Sequence, residues 1–165
     1  METVTNSHLP ALNLPALHPP AVVRGYEVMC RARRKFVKLE PEEWVRQHWL
    51  GFLADGLGFP AGAISVEHPL LLNGMRRRAD ILCQTPNAAP LLLLECKAPA
   101  VKLGQEALDQ VWRYGLALKA LPPVIVLSNG VHHQAFLRKS GDDSPQVLDE
   151  LPTYQELRRM TAEMP

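Results

Sequence analysis

A run of four leucines, residues 91–94, ends in the charged tripeptide Glu95-Cys96-Lys97. A short, continuously apolar run of this kind is typical of a strand that is buried on both faces in the middle of a sheet. Because side chains alternate along a strand, Glu95 and Lys97 share one face, roughly 6–7 Å apart, and Cys96 lies on the other. Charged side chains at the end of a buried strand need a partner or a function. The tripeptide therefore predicts both the centre of a sheet and a candidate site.

The segments around this strand predict an α/β fold, an α+β mixed sheet with helices on its faces. Apolar residues at helical spacing predict helices over residues 41–57 and 105–119, and a short terminal helix over 153–160 capped by Thr153 and Glu156. Strands are predicted over residues 63–68, 78–83, 91–97, 124–127 and 134–137, the last of them at the sheet edge. Asn73-Gly74 predicts a hairpin turn. The helix between the strands at 91–97 and 124–127 implies a right-handed parallel crossover.

Length and charge set the broad class. The chain has 165 residues, which suits one domain, and we place it at residues 23–165. Residues 1–22 contain four prolines and no basic segment, so we expect a flexible N-terminal tail rather than a signal peptide. No apolar run is long enough to span a bilayer, and no membrane partner is expected. A net charge of +1 neither requires nor excludes a nucleic-acid partner.

The three cysteines, Cys30, Cys83 and Cys96, form no CxxC pair and lack the spacing of zinc ligands. An odd number of cysteines is typical of reduced thiols, which predicts a cytoplasmic protein. Cys96 lies inside a predicted buried strand and is interpreted as a small core residue.

Two acids on adjoining strands make the strongest candidate site. Asp80 lies on the second strand, and the hairpin that leads to the third strand brings it near Glu95. Carboxylates that face one way form a hard-oxygen site suited to Mg²⁺ or Mn²⁺. Lys97 would then orient a water molecule or neutralise charge that develops on a phosphate. A purely structural salt-bridge cluster is the alternative.

Further candidates surround this pair. Gln110 and Tyr114 are four residues apart on one helix face, where they would contact a nucleic-acid backbone, support Lys97, or form an ordinary amphipathic boundary pair. Arg76 and Arg78, with Arg77 between them, precede Asp80 and are candidates for phosphate contacts. A second basic cluster precedes the first helix and is also a candidate for phosphate contacts: Arg31, Arg33, Arg34, Lys35 and Lys38. Two histidines, His132 and His133, are weaker candidates for ligands or general bases.

The ordered series Asp80, Glu95-x-Lys97 and Gln110-x-x-x-Tyr114 resembles the PD-(D/E)XK nuclease superfamily in its RecB-like variant. Residues 25–140 resemble more closely the N-terminal nuclease domain of type I restriction enzyme R subunits, in its short stand-alone bacterial form. The resemblance implies a restriction-endonuclease-like α-β-β-β-α-β core and a Mg²⁺-dependent deoxyribonuclease. It also implies a third metal ligand on the first helix, for which Glu42 is the best match and Glu43 the alternative.

Two other functions stay open. A nuclease fold that has lost catalysis would bind nucleic acid or a protein partner, and a structural protein would use Asp80, Glu95 and Lys97 only to pair with each other. The chain carries no GxxxxGK[ST] phosphate loop, so we expect no helicase motor on this polypeptide. Sequence-specific restriction would then require partner protein subunits.

Overall fold

A six-stranded mixed sheet forms the centre of the protein, and a three-stranded antiparallel sheet accompanies it. The structure is a computed structural model and describes residues 9–139 and 144–162. Within these residues the α-helices are α1 (Pro41–Gly51), α2 (Gln105–Ala117) and α3 (Tyr154–Ala162). The strands are β1 (Val23–Arg24), β2 (Glu27–Cys30), β3 (Lys35–Lys38), β4 (Ile64–Leu72), β5 (Met75–Gln84), β6 (Pro90–Cys96), β7 (Val124–Ser128), β8 (His133–Leu137) and β9 (Gln146–Val147).

The large sheet has the order β4-β5-β6-β7-β8-β9. β6 and β7 are parallel, with Leu93 opposite Ile125, and the other neighbouring strands are antiparallel. Since α2 connects the two parallel strands, the predicted crossover is confirmed. The expected edge position of β8 is wrong, because Phe136 pairs with Val147 of β9. A strand of two residues is too short to show a periodic pattern.

Helices cover both faces of the large sheet. Leu93 and Leu94, neighbours on β6, belong to two different buried clusters. The first cluster contains Leu94 together with Trp49 of α1 and Leu157 of α3. The second contains Leu93 together with Val111 of α2. The predicted fold class, a mixed sheet with flanking helices, is confirmed.

α1 begins where the sequence predicts and ends in a widened turn. Pro41 lies in its first turn with Glu42 and Glu43, where fixed φ and negative charge favour a helix start. After α1 the chain continues as a π-helical turn over Phe52–Gly56, and the N–H of Leu57 donates to the carbonyl of Phe52 at 3.0 Å. The predicted helical extent, 41–57, is therefore correct to within a residue.

The remaining predicted elements are present with shifted ends. β4 and β5 flank the turn at Asn73-Gly74 and are longer than the predicted strands. α3 carries the reciprocal cap: the N–H of Thr153 donates to Glu156 Oε2 at 2.7 Å, and the N–H of Glu156 donates to Thr153 Oγ1 at 3.3 Å.

The small sheet, β1–β3, is an addition to the predicted fold. Glu27 pairs with Lys38, and Cys30 pairs with Lys35. The alternate residues Val28 and Cys30 are fully buried. Strands of two to four residues with charged residues between the apolar ones give a weak pattern, so the sequence does not predict them.

The three cysteines are free and buried. Burial raises the pKa of the Cys83 thiol, so this cysteine stays protonated and unreactive. No helix within the described residues is long and apolar enough to cross a membrane. The cytoplasmic location stays a prediction.

Part of the N-terminal segment contacts the domain. The N–H of Asn13 donates to the carbonyl of Gly130 at 2.7 Å, and Trp44 Nε1 donates to the carbonyl of Pro10 at 3.2 Å. Leu12 and Leu14 pack against the first buried cluster. These contacts differ from the flexible tail expected over residues 1–22, of which residues 1–8 lie outside the described part. The division into tail and domain stays a prediction.

We expect Gly130→Ala to destabilise the protein more than Gly74→Ala. Both glycines have positive φ, +83° and +76°, which costs an L-residue about 1–2 kcal/mol. A Cβ at Gly130 would also lie 2.8 Å from Leu12 Cδ2 and 2.9 Å from Val45 Cγ2, whereas a Cβ at Gly74 meets nothing within 4 Å. Urea unfolding should show losses of about 2–4 kcal/mol and about 1–2 kcal/mol, respectively. Equal losses would show that residues 10–14 do not pack on Gly130.

Candidate active site

Asp80 and Glu95 lie opposite each other on β5 and β6, one residue beyond the paired Ile81 and Leu94. The N–H of Asp80 donates to Glu95 Oε2 at 3.3 Å, and the N–H of Cys96 donates to Asp80 Oδ2 at 2.7 Å. Both carboxyl residues are buried, with exposed fractions of 7% and 5%. The structure therefore brings the two predicted acids together at the end of β6.

Lys97 begins a chain of polar contacts that runs to α2. Its N–H donates to the carbonyl of Ser128 at 2.8 Å, which holds the residue at the end of the parallel strand pair. Its Nζ donates to Gln110 Oε1 at 2.9 Å, and Gln110 Nε2 donates to the hydroxyl of Tyr114 at 3.0 Å. Tyr114 is buried. Of the predicted alternatives for Gln110 and Tyr114, this geometry favours support of Lys97.

Cys96 packs in the first buried cluster with Leu94, while Lys97 reaches α2 on the other side of the sheet. Burial raises the pKa of its thiol, so the sulfur stays protonated. The interpretation of Cys96 as a core residue agrees with its position.

Arg46 of α1 is part of this site, and the sequence analysis does not identify it. Its Nη2 donates to Asp80 Oδ1 at 2.5 Å and lies 3.5 Å from Glu42 Oε1, and its Nη1 pairs with Glu43. Burial lowers the pKa of Arg46, but the negative charges of Asp80 and Glu43 outweigh burial and raise it. An arginine four residues after Glu42 suggests an ordinary surface pair. Its spacing, three residues before Trp49 and seven before Leu53, is the signal in the sequence that it lies beside the apolar stripe of α1.

Glu43 and Glu42, the alternatives for the first-helix acid, have different surroundings. Glu43 is buried, and its Oε1 accepts hydrogen bonds from Arg33 at 2.5 Å and from Gln47 at 2.8 Å. With Arg46 on the other oxygen, its carboxylate is fully engaged. Glu42 is half-buried. The geometry therefore favours Glu42 as the acid that faces the site.

Burial, followed by the negative charge of Asp80, raises the pKa of Glu42. The same two causes raise the pKa of Glu95 to about 8, although the Asp80 N–H and the charge of Lys97 oppose them. The negative charge of Asp80 thus acts on both glutamate carboxyls.

The chemistry of this donor set suits a hard divalent cation, since carboxylate oxygens are the ligands that Mg²⁺ and Mn²⁺ prefer. As the side chains stand, no three His, Cys, Asp or Glu residues in the described ranges are arranged to hold a metal ion. The nitrogen of Arg46 that bridges Asp80 and Glu42 lies where such an ion would have to bind. The donors fit the ion in kind, and Arg46 fills the place between two of them.

The β4–β5 hairpin extends past the end of β6, because the β5 residues before Ala79 have no partner on that strand. Arg76 and Arg78 share one face of this hairpin and Arg77 the other, and all three are exposed. An open groove of about 740 Å³ runs along it, lined by Pro69, Leu70, Leu71, Arg76, Arg77, Arg78 and Ala117. The hairpin therefore presents positive charge two residues from Asp80.

The second basic cluster is largely neutralised within the protein. Arg31 pairs with Asp55 at 2.8 Å, and Lys38 pairs with Glu40 at 2.6 Å. Arg33 is half-buried and pairs with Glu43 and with Glu67, the latter at 3.0 Å. The cluster that precedes α1 thus serves mainly to hold β1–β3 and α1 together, in contrast to the three exposed arginines of the hairpin.

The residues after β7 have structural roles. His133 Nε2 donates to the carbonyl of Asn13 at 2.9 Å, so its Nδ1 accepts from the hydroxyl of Ser128 at 2.8 Å. Asn129 Oδ1 accepts from the N–H of His132 at 2.7 Å, and its Nδ2 donates to the carbonyl of Val101 at 2.8 Å. Asn129 therefore fixes the loop that follows Lys97, a function that the sequence analysis misses. Neither histidine contacts the acids named above.

We expect the contribution of Glu95 to the stability of the metal-free protein to fall as the pH rises from about 5 to about 8. Folding raises the pKa of Glu95 from its ordinary value, 4.5, to about 8. The folded protein therefore holds a proton that the unfolded chain has lost, and the stabilisation present below the unfolded pKa disappears as pH approaches the folded one. Glu95→Gln should flatten this slope in urea unfolding with a chelator present, and exposed Glu106→Gln should not. Parallel slopes in all three proteins would contradict the assignment.

Two solved structures are similar to the chain. A fragment assigned to an HsdR subunit of a type I restriction enzyme from Vibrio vulnificus YJ016 aligns with a TM-score of 0.57 and 21% identity, over 75% of this chain and 25% of that chain. The present chain thus spans about a quarter of the length of this relative. A protein assigned as a nuclease of the DUF820 group from Anabaena variabilis ATCC 29413 aligns with a TM-score of 0.44 and 12% identity, over 91% of this chain and 93% of that chain.

No curated protein sequence matches the chain. Residues 41–152 match the family model described as Type I restriction enzyme R protein N terminus (HSDR_N). The match includes Glu42, Asp80, Glu95 and Lys97, and the resemblance to a PD-(D/E)XK nuclease-like domain is confirmed. Because the model covers more than half of the 165 residues, the chain belongs to the family of the type I restriction enzyme R protein N terminus.

Proposed function

We propose that the protein is a Mg²⁺- or Mn²⁺-dependent deoxyribonuclease that hydrolyses phosphodiester bonds. The observation that carries this proposal is the convergence of Asp80, Glu95 and Lys97 at the end of β6, where Glu95 Oε2 accepts from the backbone N–H of Asp80. A surface salt bridge would not require two buried carboxyls beside each other, since like charges destabilise one another there. Membership of the R-protein family supports the same chemistry.

Each residue has a proposed role. Asp80, Glu95 and Glu42 would hold the divalent ion, which supplies stabilisation of negative charge on phosphate oxygens and a lowered pKa for water. The Nζ of Lys97 donates to the neutral amide of Gln110 and not to a carboxylate. It is therefore suited to orient the attacking water and to stabilise charge on the scissile phosphate. Gln110 and Tyr114 place substrate indirectly, by fixing the position of the Lys97 ammonium.

DNA would approach along the β4–β5 hairpin. Arg76 and Arg78 extend beyond the end of β6 on one face, and both are exposed. Contacts from arginine to phosphate position a duplex without reading its sequence. Protein subunits that recognise a sequence are proposed as further partners, because the chain belongs to a family of restriction enzyme R proteins.

One observation favours a second function. Arg46 occupies the position between Asp80 and Glu42, and the described side chains do not form a ready metal site. A catalytically silent nuclease-fold module that binds DNA or a protein would keep such an arrangement permanently. Cleavage and DNA binding must therefore be measured separately.

Asp80→Asn should reduce Mg²⁺- or Mn²⁺-dependent cleavage of plasmid and linear DNA by at least about a hundredfold, because stabilisation by the metal is worth several kcal/mol and each 1.4 kcal/mol is tenfold in rate. Lys97→Met should have an effect of similar size. Exposed Asp149→Asn serves as the matched control and should cleave at the rate of the unsubstituted protein. Cleavage that is equal in all four proteins would identify a contaminant, and binding without any cleavage would establish the silent module.

Arg76→Ala and Arg78→Ala should each weaken duplex DNA binding at every sequence. Each should also lower the slope of log K against log salt by about one, because one phosphate contact is lost. Fluorescence anisotropy without divalent metal separates this binding from cleavage. Arg138→Ala is the control. Arg138 is exposed and follows β8, and its N–H donates to the carbonyl of Pro123, which precedes β7. It therefore lies at the opposite end of β7 from Ser128 and the candidate site. Unchanged slopes in the hairpin variants would place the DNA elsewhere.

A further inference from the structure

The guanidinium of Arg46 bridges two carboxylates that the proposed function assigns to a metal ion. One nitrogen, Nη2, lies 2.5 Å from Asp80 Oδ1 and 3.5 Å from Glu42 Oε1. A cation that coordinates both oxygens must lie close to both, which is the place that this nitrogen fills. Arg46 and a metal ion held by both carboxylates would therefore compete for the same place.

Arg46 is held to the protein by more than Asp80. Its Nη1 pairs with Glu43, whose carboxylate is anchored in turn by Arg33 and Gln47. The side chain can thus release Asp80 and keep its buried charge paired at Glu43. Loss of one bond does not leave an isolated charge in the core, which would be strongly unfavourable.

The position of Arg46 is also incompletely satisfied. Its Nε is buried and has no hydrogen-bond partner among the described residues. A guanidinium has five N–H donors in a fixed fork, and buried donors are normally all bonded. When Arg46 bonds Asp80, one of its buried N–H donors is thus left without a partner. A competing cation displaces such an arginine more easily than an arginine whose donors are all bonded.

We propose that Arg46 is a built-in competitor for the metal: it closes the site by bonding Asp80 in the metal-free protein, and a divalent cation binds by displacing it towards Glu43. This inference rests on the proposed function and specifies how that function is regulated. The site then stays filled at low metal concentration, which keeps the buried acids paired. The arginine sets the metal concentration at which the site opens.

The test measures Mn²⁺ binding to the full chain by calorimetry. Arg46→Met should bind Mn²⁺ roughly ten- to a hundredfold more tightly, since a charge-assisted hydrogen bond that no longer has to be broken corresponds to such a factor. Arg31→Met is the matched control, because Arg31 is also paired with a carboxylate, that of Asp55 at 2.8 Å, and shares no partner with Arg46 among the described residues. Its Mn²⁺ affinity should stay within about twofold of the unsubstituted protein.

A second variant and a second measurement guard against misfolding of Arg46→Met. Arg46→Lys keeps a charge near Glu43 but lacks the fork that reaches both carboxylates, so its Mn²⁺ affinity should rise by a smaller factor. In the unsubstituted protein, the Nε–Hε signal of Arg46, identified by its loss in Arg46→Lys, should shift on titration with Mg²⁺. The signal of Arg31, which pairs with Asp55 outside this network, should shift much less.

The outcomes separate the inference from the function on which it rests. Equal or weaker Mn²⁺ binding by the Arg46 variants, or no shift of the Arg46 signal at saturating Mg²⁺, would overturn the competition and leave Asp80-dependent cleavage intact. Failure of the unsubstituted protein and of every variant to bind Mn²⁺ would overturn the inference together with the metal-dependent function. Tighter binding in both Arg46 variants but not in Arg31→Met supports the inference, whatever the cleavage rate.

Discussion

Ion pairs between buried carboxylates and arginines connect the main parts of this protein. Asp80 is held by Arg46 of α1 and by a backbone N–H of β6, so the helix and the large sheet meet at one carboxylate. Glu43 extends the same network through Arg33, which also pairs with Glu67 of β4. A charge that is removed from water is strongly unfavourable unless it is paired. The positions of α1, the small sheet and the large sheet are therefore linked to the same ion pairs that shape the candidate site.

The sequence predicts the parts of the fold whose signal is long and local. β6, α2 and β7 have continuous apolar runs or a clear helical period, and a strand–helix–strand order permits one hand of crossover. β1–β3 and β9 are not predicted. Each has only two to four residues, which is too few for a periodic pattern, and each is stabilised by pairing with another strand. The docking of residues 10–14 belongs to the same class, since Asn13 and Gly130 are more than a hundred residues apart.

The site divides in the same way. Asp80, Glu95 and Lys97 are predictable because strand alternation and a hairpin fix their relative positions. Arg46 is not, because its partner Asp80 is 34 residues away and its spacing to Glu42 also fits an ion pair within the helix. The choice between Glu42 and Glu43 likewise depends on Arg33, which approaches from the turn between β2 and β3, two strands that the sequence does not reveal. Residues whose role depends on tertiary ion pairs are the ones that sequence patterns miss.

The two cations of the site differ in what they neutralise. Arg46 reaches Asp80 from α1 and bonds to carboxylates, so its charge is cancelled within the protein. Lys97 reaches towards α2 on the other face of the sheet and bonds to the neutral amide of Gln110, so its charge stays available to a substrate phosphate. The planar guanidinium of arginine, which is always charged, suits a fixed pair with carboxylates. The compact ammonium of lysine lies on a flexible side chain, which suits it to follow charge that develops on a substrate. The acid pair between them therefore has one cation that closes the site and one that is suited to act in it.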